Sequence, residues 1–397
     1  MKKTFIKIIL IFCSSSISLA ANTLTIWTSS ENVKDSITTM ANAFEKDYKA
    51  KVEINVLNKD LTSQFKTAAL TGKGPDIFAW AHDVIGELAS SGLIEPITLP
   101  KKLQKELLPV AVSAFTYQGK VYGYPYDLEA VALIYNKSFI KTPPSTMKEL
   151  ITIAQKFNDP TKKTYGFLYD VGNFFFSFPL LSAGGGYIYK DNNGKLDVND
   201  VGLANAGAIS GGNFIQSLIE KNIMPSSTDY SISMEKMKEG LLAMTINGPW
   251  AIKDLKKSNI DYGISTIPTL NGSRPKPFVG THGFIIRRSS QNKKLAKEFI
   301  ENYLVSKEGI LSLYEADPRG PSRKDVLEIL SKKDNDLKEF MNSAKDGIPM
   351  PNVPEMSIVW NTMGNALKLM ISGQLKAKEA LAQAKKQILS SLKSKNK

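Results

Sequence analysis

The 397-residue chain has a single cysteine, Cys13, and two histidines, His82 and His282. One cysteine cannot build a disulfide framework or a thiolate zinc site. Neither histidine sits in an H-E-x-x-H pattern, so a catalytic zinc is not expected. No uninterrupted apolar run reaches the roughly 18 residues that a membrane-crossing helix needs, and neither internal repeats nor long low-complexity linkers occur. The glycines of Thr71-Gly72-Lys73-Gly74 miss the Walker A spacing, because Lys73 is followed by glycine rather than serine or threonine. Gly184-Gly185-Gly186 does not extend to G-x-G-x-x-G, and a G-x-S-x-G elbow is missing. Metal, nucleotide and serine-hydrolase chemistry therefore have no motif to rest on, and no cofactor is expected.

What is present is globular. Apolar residues make up 42% and charged residues 22%, and the length suits two or three domains at about 150 residues each. Residues 1–20 read as an export signal. Lys2, Lys3 and Lys7 flank an apolar stretch from Ile8 to Phe12, and Ser18-Leu19-Ala20 offers small residues for cleavage before Ala21. Phe12 stands where lipid attachment at Cys13 would need a small residue, so a cleaved signal and a periplasmic location are expected. The net charge of +13 falls to +10 without the three lysines of that segment. The densest lysine run, Lys376 to Lys397, carries Leu381, Ala384, Ile388 and Leu392 at helical spacing, which makes it the wet face of a terminal helix and not a nucleic-acid patch.

From Thr23 short apolar runs alternate with amphipathic stretches, as in a largely parallel α/β sheet. Strands are expected over residues 24–27, 52–56, 76–80, 131–135 and 242–246. Helical stripes are expected over 37–44, 150–157 and 295–304. Pro249 follows Asn247-Gly248 where a helix would start, a position that needs no N–H. The pattern implies two α/β lobes joined by short crossings.

The tryptophans carry the functional signal. Trp80 ends an expected strand, Trp250 follows another, and Trp360 opens a late helix, whereas Trp27 lies inside a strand and reads as core. Ligands of open α/β sheets bind at such strand ends. An indole face suits the C–H face of a sugar, and Glu31, Asp83 and Glu129 lie near the same ends, ready to accept from hydroxyls. His82 reads as a packed or capping residue, and Phe174-Phe175-Phe176 with Phe178 as core. Aromatics and acids without a nucleophile point to a neutral polyol.

Taken together with these residues, the sequence resembles the maltose/maltodextrin-binding proteins, the periplasmic solute-binding subunits of ABC importers. The likeness runs through Phe44-Glu45-Lys46-Asp47, Thr71 to Ile77, Trp80-Ala81-His82-Asp83, Leu133 to Lys137, Thr228 to Ile232, Ala243 to Trp250, Lys276 to Gly280 and Met350-Pro351-Asn352. The resemblance implies a two-lobed periplasmic binding protein (Venus flytrap) fold without catalysis. Lobe one would be residues 21–128 with 281–330 and lobe two residues 129–280 with 331–397, hinged near Glu129 to Leu133 and Phe278 to His282. It implies that Trp80, Trp250 and Trp360 stack on sugar, that Glu31, Asp83 and Glu129 accept from its hydroxyls, and that Phe176 and Met350 wall the site while Ala81 makes a backbone contact. It also implies a maltodextrin-like ligand, membrane permease subunits as partners, and a monomer. Six positions depart from the family: Asn32 stands for a lysine, Val84 and Gly364 for arginines, Asn173 for a glutamate, and Phe175 and Asn361 for tyrosines. A site discriminates through such partners, so another oligosaccharide is the alternative ligand. Two further readings stay open: a glycosidase using Asp83 and Glu129 as its carboxylate pair, and an envelope or nucleic-acid binder using the positive charge.

Overall fold

The computed structural model describes residues 23–57, 59–159, 161–192 and 194–395. The expected signal segment, residues 1–20, lies outside the described residues, among which no helix is long and apolar enough to cross a membrane.

Two sheets organise the chain. The first runs in the order Lys51–Val56, Thr23–Thr28, Ile77–Ala81, His282–Ile286, Tyr124–Pro125. Thr23–Thr28 pairs in parallel with both neighbours, while His282–Ile286 is antiparallel to both of its own. The second runs Tyr262–Ser265, Ala132–Asn136, Leu242–Asn247, Tyr165–Phe167. Here Leu242–Asn247 is parallel to Tyr165–Phe167, but Ala132–Asn136 is antiparallel to both strands beside it. The expectation of a largely parallel sheet therefore fails: two of the four pairings in the first sheet and one of the three in the second are parallel. Ala132–Asn136 and Leu242–Asn247 are buried along their whole length. A strand covered on both faces reads as a continuous apolar run whichever way its neighbour points.

Each sheet has its own apolar packing. Leu24, Ile26, Ile37, Phe44, Ile77, Phe284 and Phe299 are fully buried around the first, with Phe65, Phe78, Ile85 and Phe115 in an adjoining cluster. Leu133, Leu150, Phe167, Met244, Met363, Leu381 and Ile388 are fully buried around the second. The terminal helix Ala377–Lys395 docks on this second core through Leu381, Ala384, Ile388 and Leu392 and leaves Lys378, Lys386 and Lys393 exposed. Short pairings connect the regions. Asp127–Leu128 pairs with Gly320–Pro321, Phe278–Val279 with Ile348–Pro349, and a bridge joins Glu129 to Gly280.

Helix starts are set by local chemistry. Ser30 accepts from the Val33 N–H at the head of Glu31–Tyr48, and Thr146 and Glu149 form a reciprocal capping box on Met147–Phe157. Asn173 accepts from the Phe175 N–H and fixes the start of Phe174–Ser182, an almost wholly buried helix. The stripe expected over 295–304 is the helix Lys293–Phe299 widening into the π-turn Ile300–Leu304.

Candidate functional site

Both sheets end their central strands in tight turns that present an expected ligand residue. Ile77–Ala81 stops at Ala81, and the 3₁₀ turn His82–Val84 follows at once with Asp83 in it. Leu242–Asn247 stops at Asn247, and Gly248 leads into the turn Pro249–Ala251, which carries Trp250. Gly248 is needed there for closeness rather than for an unusual backbone angle, since a Cβ on it would lie 2.1 Å from the Trp250 ring. Trp360 projects from the helix Met356–Ile371.

The structure joins two of the three tryptophans into one aromatic wall. Trp250 lies 6.1 Å from Phe175 and 5.9 Å, edge on, from Phe176. Phe175 is 5.9 Å from Phe278, which is 5.8 Å from Trp360, and Phe174 meets Trp360 edge on at 5.7 Å. Phe278 is fully buried, stacked on Phe178 at 3.7 Å, and Phe174 and Phe176 are buried, so of these rings the half-buried Trp250, Phe175 and Trp360 are the ones that keep surface for a stacking partner. Trp80 belongs to the first sheet, stacked 6.3 Å from Phe78 beside the parallel pair Phe65 and Phe78, and borders a separate hollow of about 250 Å³ with Ser29, Lys59 and Asp60. The link between the two sides is polar: Trp360 donates its Nε1–H to the Asp83 carboxylate at 2.9 Å. Burial pushes the Asp83 pKa up, and neighbouring His82 and the Trp360 hydrogen bond oppose that rise.

The remaining expected residues fall in different settings. Ala81 packs against the second core. Phe176 and Met350 are buried in it; the Met350 carbonyl bonds His82 Nε2 at 2.8 Å, so His82, fully buried, ties the turn after Trp80 to the segment that precedes the Trp360 helix. The Glu31 side chain is 65% exposed and pairs with Lys34 at 3.4 Å, and no contact draws it to the wall among the described residues. Of the six departures, Val84 is buried core, Asn173 is a helix cap, Phe175 is part of the wall and Asn361 is exposed. Gly364 opens space: a Cβ on it would meet nothing within 4 Å, beside a hollow of about 540 Å³ lined by Asp170, Asn173, Asp229, Trp360 and Lys368.

Glu129 sits in a charge cluster that sequence reading missed. Arg319 donates through Nη1 to Glu129 and through Nε to Asp317 at 3.0 Å, with Asp127 at 3.8 Å, and its guanidinium lies over the Trp250 ring at 5.3 Å. His282 Nδ1 is 3.0 Å from Asp127. Burial alone would push Asp127 up, but His282 and Arg319 outweigh it and hold the carboxyl low. Burial would likewise lower His282, yet Asp127 and Glu129 raise it. Three carboxylates share one guanidinium and one imidazole, and the surplus of negative charge falls on Glu129, whose pKa burial pushes up against the pull of Arg319. Two more residues were not anticipated. Tyr230 lies 6.1 Å from Phe176, its pKa pushed up to about 12 by burial. Lys253 crosses from the second-sheet side to donate to Asn32 at 2.8 Å and to the Ala316 carbonyl at 3.2 Å. No short motif marks Arg319 or Lys253, because their partners lie up to 221 positions away in sequence.

Residues 39–342 match the model of the bacterial extracellular solute-binding protein family. The chain is 31% identical over 371 residues to a maltooligosaccharide ABC transporter solute-binding lipoprotein of Streptococcus pneumoniae, covering 88% of this chain and 84% of that protein. It is 32% identical over 317 residues to a maltotriose-binding protein of Pyrococcus abyssi, covering 78% of this chain and 68% of that one. A galactooligosaccharide-binding protein of Bacillus subtilis is 28% identical over 386 residues, covering 94% of this chain and 90% of that relative. The aromatic wall, the carboxylates beside it and a match spanning both sheets agree: the chain belongs to the bacterial extracellular solute-binding protein family.

Proposed function

We propose that the protein is an exported, non-catalytic receptor that captures a maltodextrin-like oligosaccharide between two lobes and delivers it to the permease subunits of an ABC transporter. Lobe one is residues 21–128 with 281–330 and lobe two residues 129–280 with 331–397. The protein acts as a periplasmic monomer after its signal segment, residues 1–20, is removed. One observation carries the reading: the wall from Trp250 through Phe175 and Phe278 to Trp360, met by Asp83 at 2.9 Å from Trp360 Nε1. Indole faces take the apolar faces of glucose units, and Asp83 and Glu129 accept from their hydroxyls. Trp80, with Ala81 beside it, supplies the opposite face, and Phe176 and Met350 back the wall. Ligand touching both lobes favours the closed arrangement, because only that arrangement makes both sets of contacts. The names of the pneumococcal and Pyrococcus relatives support the glucan reading.

Glu31 is exposed and enters only if closure brings ligand to it. The galactooligosaccharide-binding relative makes a different oligosaccharide the second reading. A thermal-shift panel separates them, because a ligand bound only by the native state raises stability by RT ln(1 + [L]/Kd). Maltotriose and longer maltodextrins are expected to raise Tm more than galactooligosaccharides, and chromatography is expected to return the sugar intact. Stabilisation by galactooligosaccharides alone would reassign the ligand. Conversion of the sugar would favour the glycosidase reading of Asp83 and Glu129.

A further inference from the structure

Arg319 is held from three sides. Its Nε and Nη1 are spent on Asp317 and Glu129, with Nη1 also 3.4 Å from His282 Nδ1, and its side chain is 16% exposed. Nη2 has no hydrogen-bond partner in the protein among the described residues. No fully buried side-chain nitrogen or oxygen there lacks a partner, so Nη2 reaches accessible space. The same guanidinium stands over Trp250, 5.3 Å from the ring. With Nε and Nη1 each held by a carboxylate, the plane of the guanidinium is fixed and Nη2, which lies between the two held edges, keeps preorganised N–H donors.

We propose that Arg319 is a ligand-contacting and specificity-determining residue, whose Nη2 N–H groups donate to hydroxyl oxygens of the sugar unit seated at Trp250. This rests on the oligosaccharide reading above and adds a residue to it. The ligand class follows from charge. Asp127, Glu129 and Asp317 already outnumber Arg319 and His282, so the cluster offers donors without net positive charge. It therefore selects neutral hydroxyls over the carboxylate of a uronic acid. The arrangement also gives the site an arginine contact, supplied from the segment after the helix Lys307–Ala316, while positions 84 and 364 are valine and glycine.

Arg319→Lys keeps a positive charge beside Glu129 and removes the fork. Titration calorimetry with maltotriose is expected to show affinity reduced at least about tenfold, the scale of a hydrogen bond to a charged group, with the unfolding transition retained. The same substitution made in a Glu129→Gln background separates contact from positioning. A direct contact leaves the tenfold loss in place there, whereas disappearance of the loss means that Arg319 acts only through Glu129 and overturns the proposal. Should Arg319→Lys not fold, wild-type protein titrated with monodeoxy and monofluoro maltotrioses decides. A hydroxyl that accepts from Arg319 is sensitive to hydrogen and less so to fluorine, and the absence of any such position overturns the proposal. Wild-type protein that binds no maltotriose at all would instead reject the oligosaccharide reading on which the proposal stands.

Discussion

Trp360→Ala is expected to weaken maltotriose binding by about 1–3 kcal/mol, the range for truncating a well-packed aromatic anchor. Two losses combine. The ring that meets Phe174 and Phe278 disappears from the end of the wall, and with it the apolar area it would bury against sugar, worth about 25 cal/mol per Å². Asp83 also loses its Nε1–H donor and stays partly buried with a raised pKa, which costs free energy in any state that keeps it ionised. Trp360→Phe retains a ring without the donor and is expected to fall between wild type and Trp360→Ala. Trp27→Phe is the control: Trp27 lies within Thr23–Thr28 and packs on the cluster of Phe65 and Phe78, so it should lower Tm and leave affinity unchanged. Calorimetry on the three variants measures all of this, and wild-type affinity in Trp360→Ala would remove the wall from the site.

The largest effect on stability is expected at Arg319. Arg319→Met strips Asp127, Glu129 and Asp317 of their shared guanidinium, and leaving buried charge without its partner typically costs about 3–5 kcal/mol. The pH dependence has a definite sign. In the wild type Asp127 has a depressed pKa, so its contribution is present above the ordinary aspartate range and is lost as pH falls through the lower folded value. In Arg319→Met the carboxylates repel one another, and the folded pKa values of Asp127 and Glu129 are expected to move above their unfolded ones. The penalty then stands in full at neutral pH and shrinks as pH falls through the raised folded values toward about 4. Chemical unfolding of both proteins at pH 7 and pH 5 is expected to show a smaller deficit at pH 5. An equal deficit at both would mean that lost packing, not charge, is the cause.

Much of this could be read from the chain. The strand expected at 24–27 is Thr23–Thr28, that at 76–80 is Ile77–Ala81, and that at 242–246 is Leu242–Asn247. Apolar runs between turn residues leave little choice, and Pro249 begins a helical turn as its missing N–H suggests. Strand direction in the second sheet was not legible, because a doubly covered strand looks the same in either orientation. At the site, the placing of Trp80 and Trp250 at strand ends was legible, but the wall between Trp250 and Trp360 runs through Phe175, which the residues alone suggest only as core, and through Phe278, which no pattern singles out. Glu129 was legible as an acid near a strand end and illegible as the partner of Arg319, 190 positions further on. Periodicity carries local structure, while partner choice is decided by tertiary packing that no window of residues records.

Capture between two lobes is tested by small-angle X-ray scattering of the protein, free and saturated with maltotriose. Binding that bridges Asp83 and Trp80 on one side and the Trp250 to Trp360 wall on the other is expected to shrink the radius of gyration. Maltose and maltotriose should both do so, while glucose, too short to reach both sides, should not. Unchanged dimensions at ligand concentrations that calorimetry shows to be saturating would contradict the account.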